Sequence, residues 1–181
     1  RLYWLKVHAV PDVGPQGKGK AVVNLVQLAA GEKTGAFCAG RDFAPGGFVP
    51  LATRPGIGKK TDLPALSNPR PSGIIALGVE DGDVLVSALL TDGTKDWLLS
   101  TRQGMSIRFK EEEVRAMGRS AYGVKGITLE ENDAVVAAEV LEPGKTILTV
   151  TENGYGKRTE ESEYRVQGRG GKGIISVKTT E

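Results

Sequence analysis

Short apolar runs alternate with glycine-rich turns along the whole chain. Candidate runs lie at 2–7, 34–39, 48–53, 84–90 and 97–100, and glycine, proline, asparagine or aspartate lies close to most of their ends. Runs of this length are typical of β-strands and are too short for ordinary helices. The pattern therefore predicts an all-β chain.

The order of these elements repeats. Aligning the turn residues Gly56, Gly104 and Gly154 gives spacings of 48 and 50 residues. Each turn glycine is followed by basic residues, then by a connector that contains an arginine: Lys59, Lys60 and Arg70; Arg108 and Arg119; Lys157, Arg158 and Arg169. A second apolar run is predicted after Gly73, Gly126 and Gly173. A period near 50 predicts units that must stack on their neighbours to bury their apolar faces.

Four short strands in each unit of this length are typical of a propeller blade. The predicted blades are 1–49, 50–96, 97–146 and 147–181, about three and a half in all, so we expect further blades on both sides. Residues 110–117 have some helical character, but the equivalent connector contains Pro64, Pro69 and Pro71. A shared helix is therefore not expected.

The distribution of charged residues along the chain is more informative about function than the net charge. The 181 residues carry a net charge of +2 and a pI near 8.7, which alone does not indicate a nucleic-acid-binding protein. Basic residues concentrate at 54–73 and 102–126, whereas acids concentrate at 80–83 and 130–133. If the units surround an axis, this separation predicts a basic belt and a distinct acidic zone.

The sequence gives little indication of a disulfide, a metal site, a catalytic histidine or a membrane span. Cys38 is the only cysteine, which excludes an intrachain disulfide, favours a reducing cytoplasmic compartment and predicts a buried thiol. His8 has no partner nearby in sequence, and Asp81, Asp83 and Asp133 fit turns better than a metal site. No apolar run approaches the roughly 20 residues that a membrane-spanning helix needs, so no membrane partner is expected.

Residues 168–173 formally match the dinucleotide-binding pattern G-x-G-x-x-G. The match is poor because residues 174–177 predict a strand, where that motif requires a helix N-terminus. Two interpretations of the loop remain. It is either a mobile basic loop whose Arg169 and Lys172 approach a phosphate backbone, or a solvated turn whose glycines serve blade geometry. The recurrence of basic residues favours binding.

Three segments, 21–25, 115–127 and 152–159, resemble the C-terminal domains of bacterial DNA gyrase A proteins, and the likeness extends through the whole chain. One further stretch resembles the GyrA-box of that family, Q-[RK]-R-G-G-[RK]-G, departing from it at the second position: Gln167, Gly168, Arg169, Gly170, Gly171, Lys172 and Gly173. In the family the most important box lies in the first blade, whereas this copy lies in a later unit.

The resemblance implies a β-pinwheel of five or six blades that exchange strands and whose basic rim wraps double-stranded DNA. It also implies partners, namely the remainder of the gyrase A protein and the gyrase B protein, in a bacterial cytoplasmic holoenzyme that introduces negative supercoils. This chain would contribute no catalytic residue and no cofactor, because the family places the catalytic tyrosine, ATP and Mg²⁺ on other domains.

Ten residues are the candidate DNA contacts: Lys59, Lys60, Arg70, Arg108, Arg119, Lys125, Lys157, Arg158, Arg169 and Lys172. Two alternatives remain open. The related C-terminal domain of the corresponding topoisomerase IV protein would use similar blades with little wrapping, and a propeller-type scaffold would bind proteins through its face.

Overall fold

The computed structural model describes residues 1–68 and 70–179, and it confirms the all-β prediction. Its strands are β1 Phe48–Thr53, β2 Ile57–Asp62, β3 Leu85–Ala88, β4 Asp96–Thr101, β5 Met105–Lys110, β6 Val124–Lys125, β7 Val135–Leu141, β8 Thr146–Val150, β9 Gly156–Glu160 and β10 Ile174–Ile175. Short 3-10 turns occupy Val7–Ala9, Val22–Asn24, Leu63–Leu66, Glu111–Glu113 and Glu161–Glu163.

The strands form two four-stranded sheets and one hairpin. The first sheet has the order β3-β1-β2-β6, the second sheet has the order β10-β5-β4-β7, and the last hairpin contains β8 and β9. All of these pairings are antiparallel. Strands β6 and β10 each complete the sheet of the unit that precedes them. This is the strand exchange that distinguishes a β-pinwheel from an ordinary propeller.

The pairing of the exchanged strands corrects the sequence alignment. Val124 pairs with Gly58, Ile174 pairs with Ser106, and Leu2 forms an isolated bridge to Ile74. The second apolar run of unit 97–146 therefore follows Gly123, and the alignment on Gly126 was wrong by three residues. With Gly73, Gly123 and Gly173 aligned, this part of the repeat recurs every 50 residues.

Glycine is required where the exchanged strand enters its sheet. Gly123 has a φ of 117°, and a Cβ placed there would lie 2.6 Å from the carbonyl oxygen of Gly58. Gly173 has a φ of 80° and approaches the Ser106 carbonyl in the same way. Side chains are excluded at both positions by backbone conformation and by space. These glycines therefore serve blade geometry.

The core lies within the sheets and between them. Trp97 and Phe109 are buried in a cluster shared by the first and second sheets. The inner strands β3 and β7 approach each other, and Ser87 Oγ donates a hydrogen bond to the Ala138 carbonyl at 3.0 Å. Strands β6 and β10 lie at the opposite edges of their sheets, which we call the outer edge. Tyr122, by contrast, is 59% exposed.

The first 47 residues depart most from prediction. Neither 2–7 nor 34–39 forms a strand; Leu2 contributes a single bridge, and Val7–Ala9 is a 3-10 turn. Residues 34–39 run beside β3, where Cys38 Sγ lies 3.4 Å from the Ala88 carbonyl oxygen. Cys38 is exposed, so the prediction of a buried thiol was wrong. An apolar run becomes a strand only where a partner strand pairs with it.

In their described residues the connectors after β2, β5 and β9 hold no α-helix, as expected, but each begins with a 3-10 turn. The prolines did not prevent this. Pro64 lies in the first turn, where its missing N–H removes no hydrogen bond. A shared helical turn therefore exists where the sequence argument expected none.

Candidate nucleic-acid interface

Two connectors end in a loop at the outer edge, directly before an exchanged strand, and the third leads to Ile74, which bridges Leu2. Loop 118–123 precedes β6, loop 168–173 precedes β10, and Arg70 lies in the equivalent connector of the preceding unit. Arg70, Arg119 and Arg169 are all exposed. The fold therefore places one exposed arginine on the same loop in successive units.

Seven of the ten candidate residues are exposed: Arg70, Arg119, Lys125, Lys157, Arg158, Arg169 and Lys172. The other three are not, and for them the prediction of a surface contact is corrected. Lys59, on β2, has no solvent-exposed surface (0%). Its amine donates hydrogen bonds to the carbonyls of Ala76, at 2.7 Å, and Arg119, at 2.6 Å. Burial, with no carboxylate contributing, lowers the pKa of Lys59 to about 8.

Lys60 and Arg108 are occupied by the chain's own acids. The Lys60 amine donates to the Glu111 carbonyl at 3.1 Å and lies 3.7 Å from the carboxylate of the same residue. Arg108 contacts Asp96 at 2.8 Å and Glu161 at 2.7 Å. Both cations thus pair with the acid that opens the 3-10 turn of the following unit. They join successive units and do not face outward.

Loop 168–173 is hydrogen-bonded to the preceding unit. The Arg169 backbone N–H donates to the Glu113 carboxylate at 2.9 Å. Its guanidinium donates to the carbonyls of Glu113, at 3.0 Å, and Lys125, at 3.1 Å. Thr128 Oγ1 donates to the Gly170 carbonyl at 2.6 Å. The box-like loop therefore has a structural role, and the remaining guanidinium N–H groups of Arg169 are its available donors.

The predicted separation of basic and acidic zones is incomplete. Lys172, at the end of the box-like stretch, lies 2.7 Å from the carboxylate of Glu130 in the acidic turn of the preceding unit. The hydrogen bond and the charge of Glu130 raise the pKa of Lys172 above its ordinary value. Both side chains are more than half exposed, so the pair is accessible to competing anions.

Sequence reasoning missed two exposed arginines, Arg115 and Arg165, in the connectors that carry Arg119 and Arg169. They lie 50 residues apart. The period that identified the loop arginines could have identified these as well.

Other predictions concern chemistry away from the basic loops. Residues 174–175 form strand β10, which confirms that the G-x-G-x-x-G stretch does not open a helix. Gly82 and Asn132 have φ values of 84° and 61°, and the Asp83 carboxylate accepts the N–H of Val84, so the acidic segments are turns. In residues 1–68 and 70–179 no three potential metal ligands cluster together. Across those same ranges no helix could span a bilayer.

Comparison with known families gives one matching model, described as the DNA gyrase C-terminal domain, a β-propeller. It matches residues 1–33, 51–92, 95–142 and 145–181.

Curated relatives agree with this family. The chain is 45% identical over 127 residues to the DNA gyrase A subunit of Salmonella typhimurium, covering 70% of this chain and 14% of that protein. It is also 45% identical over 126 residues to the DNA gyrase A subunit of Clostridium acetobutylicum, covering 70% of this chain and 15% of that protein. The chain thus matches only about a seventh of the length of these relatives.

Solved structures share the fold. A C-terminal domain of DNA topoisomerase IV superposes with a TM-score of 0.82 at 28% identity, covering 93% of this chain and 53% of that one. A DNA gyrase A C-terminal domain superposes with a TM-score of 0.81 at 25% identity, covering 91% and 55% respectively. The two are nearly equal in shape, whereas the closer sequence likeness is to gyrase proteins.

Proposed function

The chain belongs to the family of DNA gyrase C-terminal domains, and we propose on that basis that its outer edge binds and wraps double-stranded DNA. The observation that carries the proposal is the placement of Arg70, Arg119 and Arg169. Each is exposed in the same connector of its unit, and the loops of Arg119 and Arg169 lie at the outer edge of the preceding sheet. Cations repeated in this way would follow the phosphate backbone from one unit to the next.

The energetics favour many weak contacts over one strong site. Bending a few tens of base pairs costs on the order of 1 to 6 kcal/mol, so the attraction must be distributed along the bend. Each neutralised phosphate adds about 0.9 to the negative slope of log affinity against log salt. Contacts would come from the loop arginines and from Lys125, Lys157, Arg158 and Lys172, with Arg115 and Arg165 added.

The family also supports proposals about the larger assembly. We assign this chain a non-catalytic role in a bacterial, cytoplasmic gyrase, where it acts together with the rest of the gyrase A protein and with the gyrase B protein. The wrap would present a DNA segment of fixed handedness to the ATP-dependent part of the enzyme, which would then introduce negative supercoils. ATP and Mg²⁺ would bind to other domains, and this chain would bind no cofactor.

Arg119→Ala tests the DNA-binding edge. We expect the salt slope of DNA binding to fall by about 0.9, with equal loss for unrelated DNA sequences, because a phosphate contact carries no sequence information. The control is Arg54→Ala. Arg54 is exposed but lies in the β1–β2 turn, where its backbone N–H donates to the Val84 carbonyl beside the acidic turn. An unchanged slope for Arg119→Ala, or a sequence-selective loss, would contradict the proposal.

A plasmid assay with the full-length protein tests wrapping itself. Relaxed plasmid is bound, treated with a relaxing topoisomerase and freed of protein. A positive shift in linking number that grows with protein concentration indicates wrapping with the handedness that gyrase requires. DNA binding without this shift would favour the topoisomerase IV type of domain, and no DNA binding would favour a protein-interaction scaffold.

A further inference from the structure

Two equivalent junctions between units fasten their arginine loops differently. At the later junction the backbone of loop 168–173 reaches the neighbouring unit directly: the Gly170 N–H donates to the Gly126 carbonyl at 2.7 Å. The equivalent residues one unit earlier are Ser120 and Ala76. Within the described residues no hydrogen bond joins the Ser120 backbone N–H to the Ala76 carbonyl.

The Lys59 amine takes the place of that missing bond. It donates to the Ala76 carbonyl and also to the carbonyl of Arg119, the residue before Ser120. A single buried side chain thus bridges the preceding unit and the loop. One further backbone hydrogen bond joins the loop to the preceding unit at both junctions. The Gly78 N–H donates to the Ala121 carbonyl at the earlier junction, and the Thr128 N–H donates to the Gly171 carbonyl at the later one.

Local backbone conformation explains why only one junction needs the lysine. Gly170 has a φ of 82°, a value that glycine adopts easily and serine avoids. Ser120 does not have a positive φ. The residue equivalent to Lys59 at the later junction is Ile107, which is fully buried and donates no side-chain hydrogen bond. The loop with Gly170 is therefore attached to the preceding unit by its own backbone amide. The loop with Ser120 is attached instead through the buried side chain of Lys59.

We propose that Lys59 is a positioning residue for the DNA-binding edge, which holds the Arg119 loop in place without touching DNA. This rests on the proposed function of Arg119, but the positioning itself can be measured without DNA. A neutral amine has two N–H groups and a charged one has three, so both forms can donate to the two carbonyls.

The test uses the full-length protein carrying Lys59→Met, which keeps the length of the side chain and removes its donor. Hydrogen exchange without DNA is the first measurement. We expect amides in 118–123 to exchange roughly tenfold faster, as the loss of a buried hydrogen bond implies, and amides in 168–173 to be unchanged. Unchanged exchange in 118–123 would overturn the proposal. If Met is not tolerated, Lys59→Ile, the residue at the equivalent position 107, gives the same test.

A rescue variant separates positioning from a general loss of stability. Adding Ser120→Gly to Lys59→Met gives the earlier junction the residue of the later one. We expect the double variant to recover slow exchange in 118–123, because the amide of residue 120 can then reach the Ala76 carbonyl. If Ser120→Gly fails to slow exchange at all, Lys59 does not replace a direct loop bond, and the proposal is wrong in that form.

DNA binding gives the last measurement. Lys59→Met should lower the salt slope by about as much as Arg119→Ala, roughly 0.9, and the two together should lower it no further. Additive losses would show that Lys59 does not act through Arg119. If Arg119→Ala alone has no effect on DNA binding, the proposed function of that loop fails, while the hydrogen-exchange result still decides whether Lys59 positions it.

Discussion

A basic pair occurs at the same place in two hairpins of this chain, in opposite environments. Lys59 and Lys60 on β2 are buried in the first sheet, whereas Lys157 and Arg158 on β9 are exposed in the last hairpin. The register makes them equivalent, because Lys60 lies opposite Pro50 in the first hairpin and Arg158 lies opposite Leu148 in the last. Residue type and local strand geometry therefore do not decide which lysine or arginine is exposed at the surface.

The neighbouring strands and connectors determine whether the basic pair is buried or exposed. In the first sheet the hairpin β1–β2 is flanked by β3 and β6, and the connector of the following unit contributes Glu111 to Lys60. In the last hairpin, β8 and β9 pair only with each other among the described residues. A unit in this fold is thus completed by its successor, and burial at any repeat position depends on whether that successor is docked there.

The apolar partner of the basic residue should show the difference most strongly. Leu98 and Leu148 lie opposite Arg108 and Arg158, and they are 1% and 64% exposed. Leu98→Ala should lower the free energy of unfolding by about 3 kcal/mol, because it opens a cavity beside Leu141. Leu148→Ala should change it by less than about 0.5 kcal/mol. Urea unfolding of the two variants measures both values, and equal losses would show that Leu148 is buried in solution.

The arginines themselves should give a smaller contrast. Arg108→Leu removes the arginine that pairs with Asp96 and Glu161 in a mostly buried site, and it leaves only Lys110, 3.5 Å from Asp96, as a remaining cation. This should cost about 2 to 3 kcal/mol. Arg158→Leu removes only an exposed hydrogen bond to Thr146 Oγ1 and should cost less than about 0.5 kcal/mol. The same urea experiment applies. A neutral Arg108→Leu would show that its ion pairs contribute nothing to docking the following unit.

The sequence predicted the architecture well because the period is long and recurs at several offsets. All-β class, repeat units and loop arginines follow from the spacing of glycines and basic residues. The exchanged strand of unit 97–146 was misplaced because Gly123-Val124 and Gly126-Ile127 both match a glycine followed by an apolar residue. Only pairing with Gly58 distinguishes them.

The site was predicted less completely, for a physical reason. A Lys-Lys pair is nearly always exposed in other proteins, and its burial here depends on carbonyls and acids contributed by residues as distant as Arg119 and Glu111. The repeat period predicts which positions are equivalent, but it does not predict which neighbouring residues bury each of them. The strands expected at 2–7 and 34–39 failed similarly, because in the described structure they have no partner strand beyond the single bridge between Leu2 and Ile74.

The titration of Lys59, the buried equivalent of Lys157, refines the contrast further. The two are equivalent, lying opposite Leu51 and Thr149, but only Lys59 is buried, with a pKa lowered to about 8. Below that pH the buried charge destabilises the fold. Above it the folded state releases the proton while the unfolded state, with a pKa near 10.4, retains it, so the free energy of unfolding rises with pH.

This rise should be about 2 kcal/mol between roughly pH 7.5 and 9.5, following from about 1.36 kcal/mol per unit of pKa difference. It is measured as the difference between the wild-type chain and Lys59→Met, since every other side chain is common to the two proteins. Lys157→Met is the matched control at the exposed equivalent position, and it should leave the wild-type pH dependence in place, because Lys59 is still present and buried. If Lys59→Met keeps the full rise, the Lys59 amine is hydrated in solution, and the burial that distinguishes the two hairpins does not hold at this position.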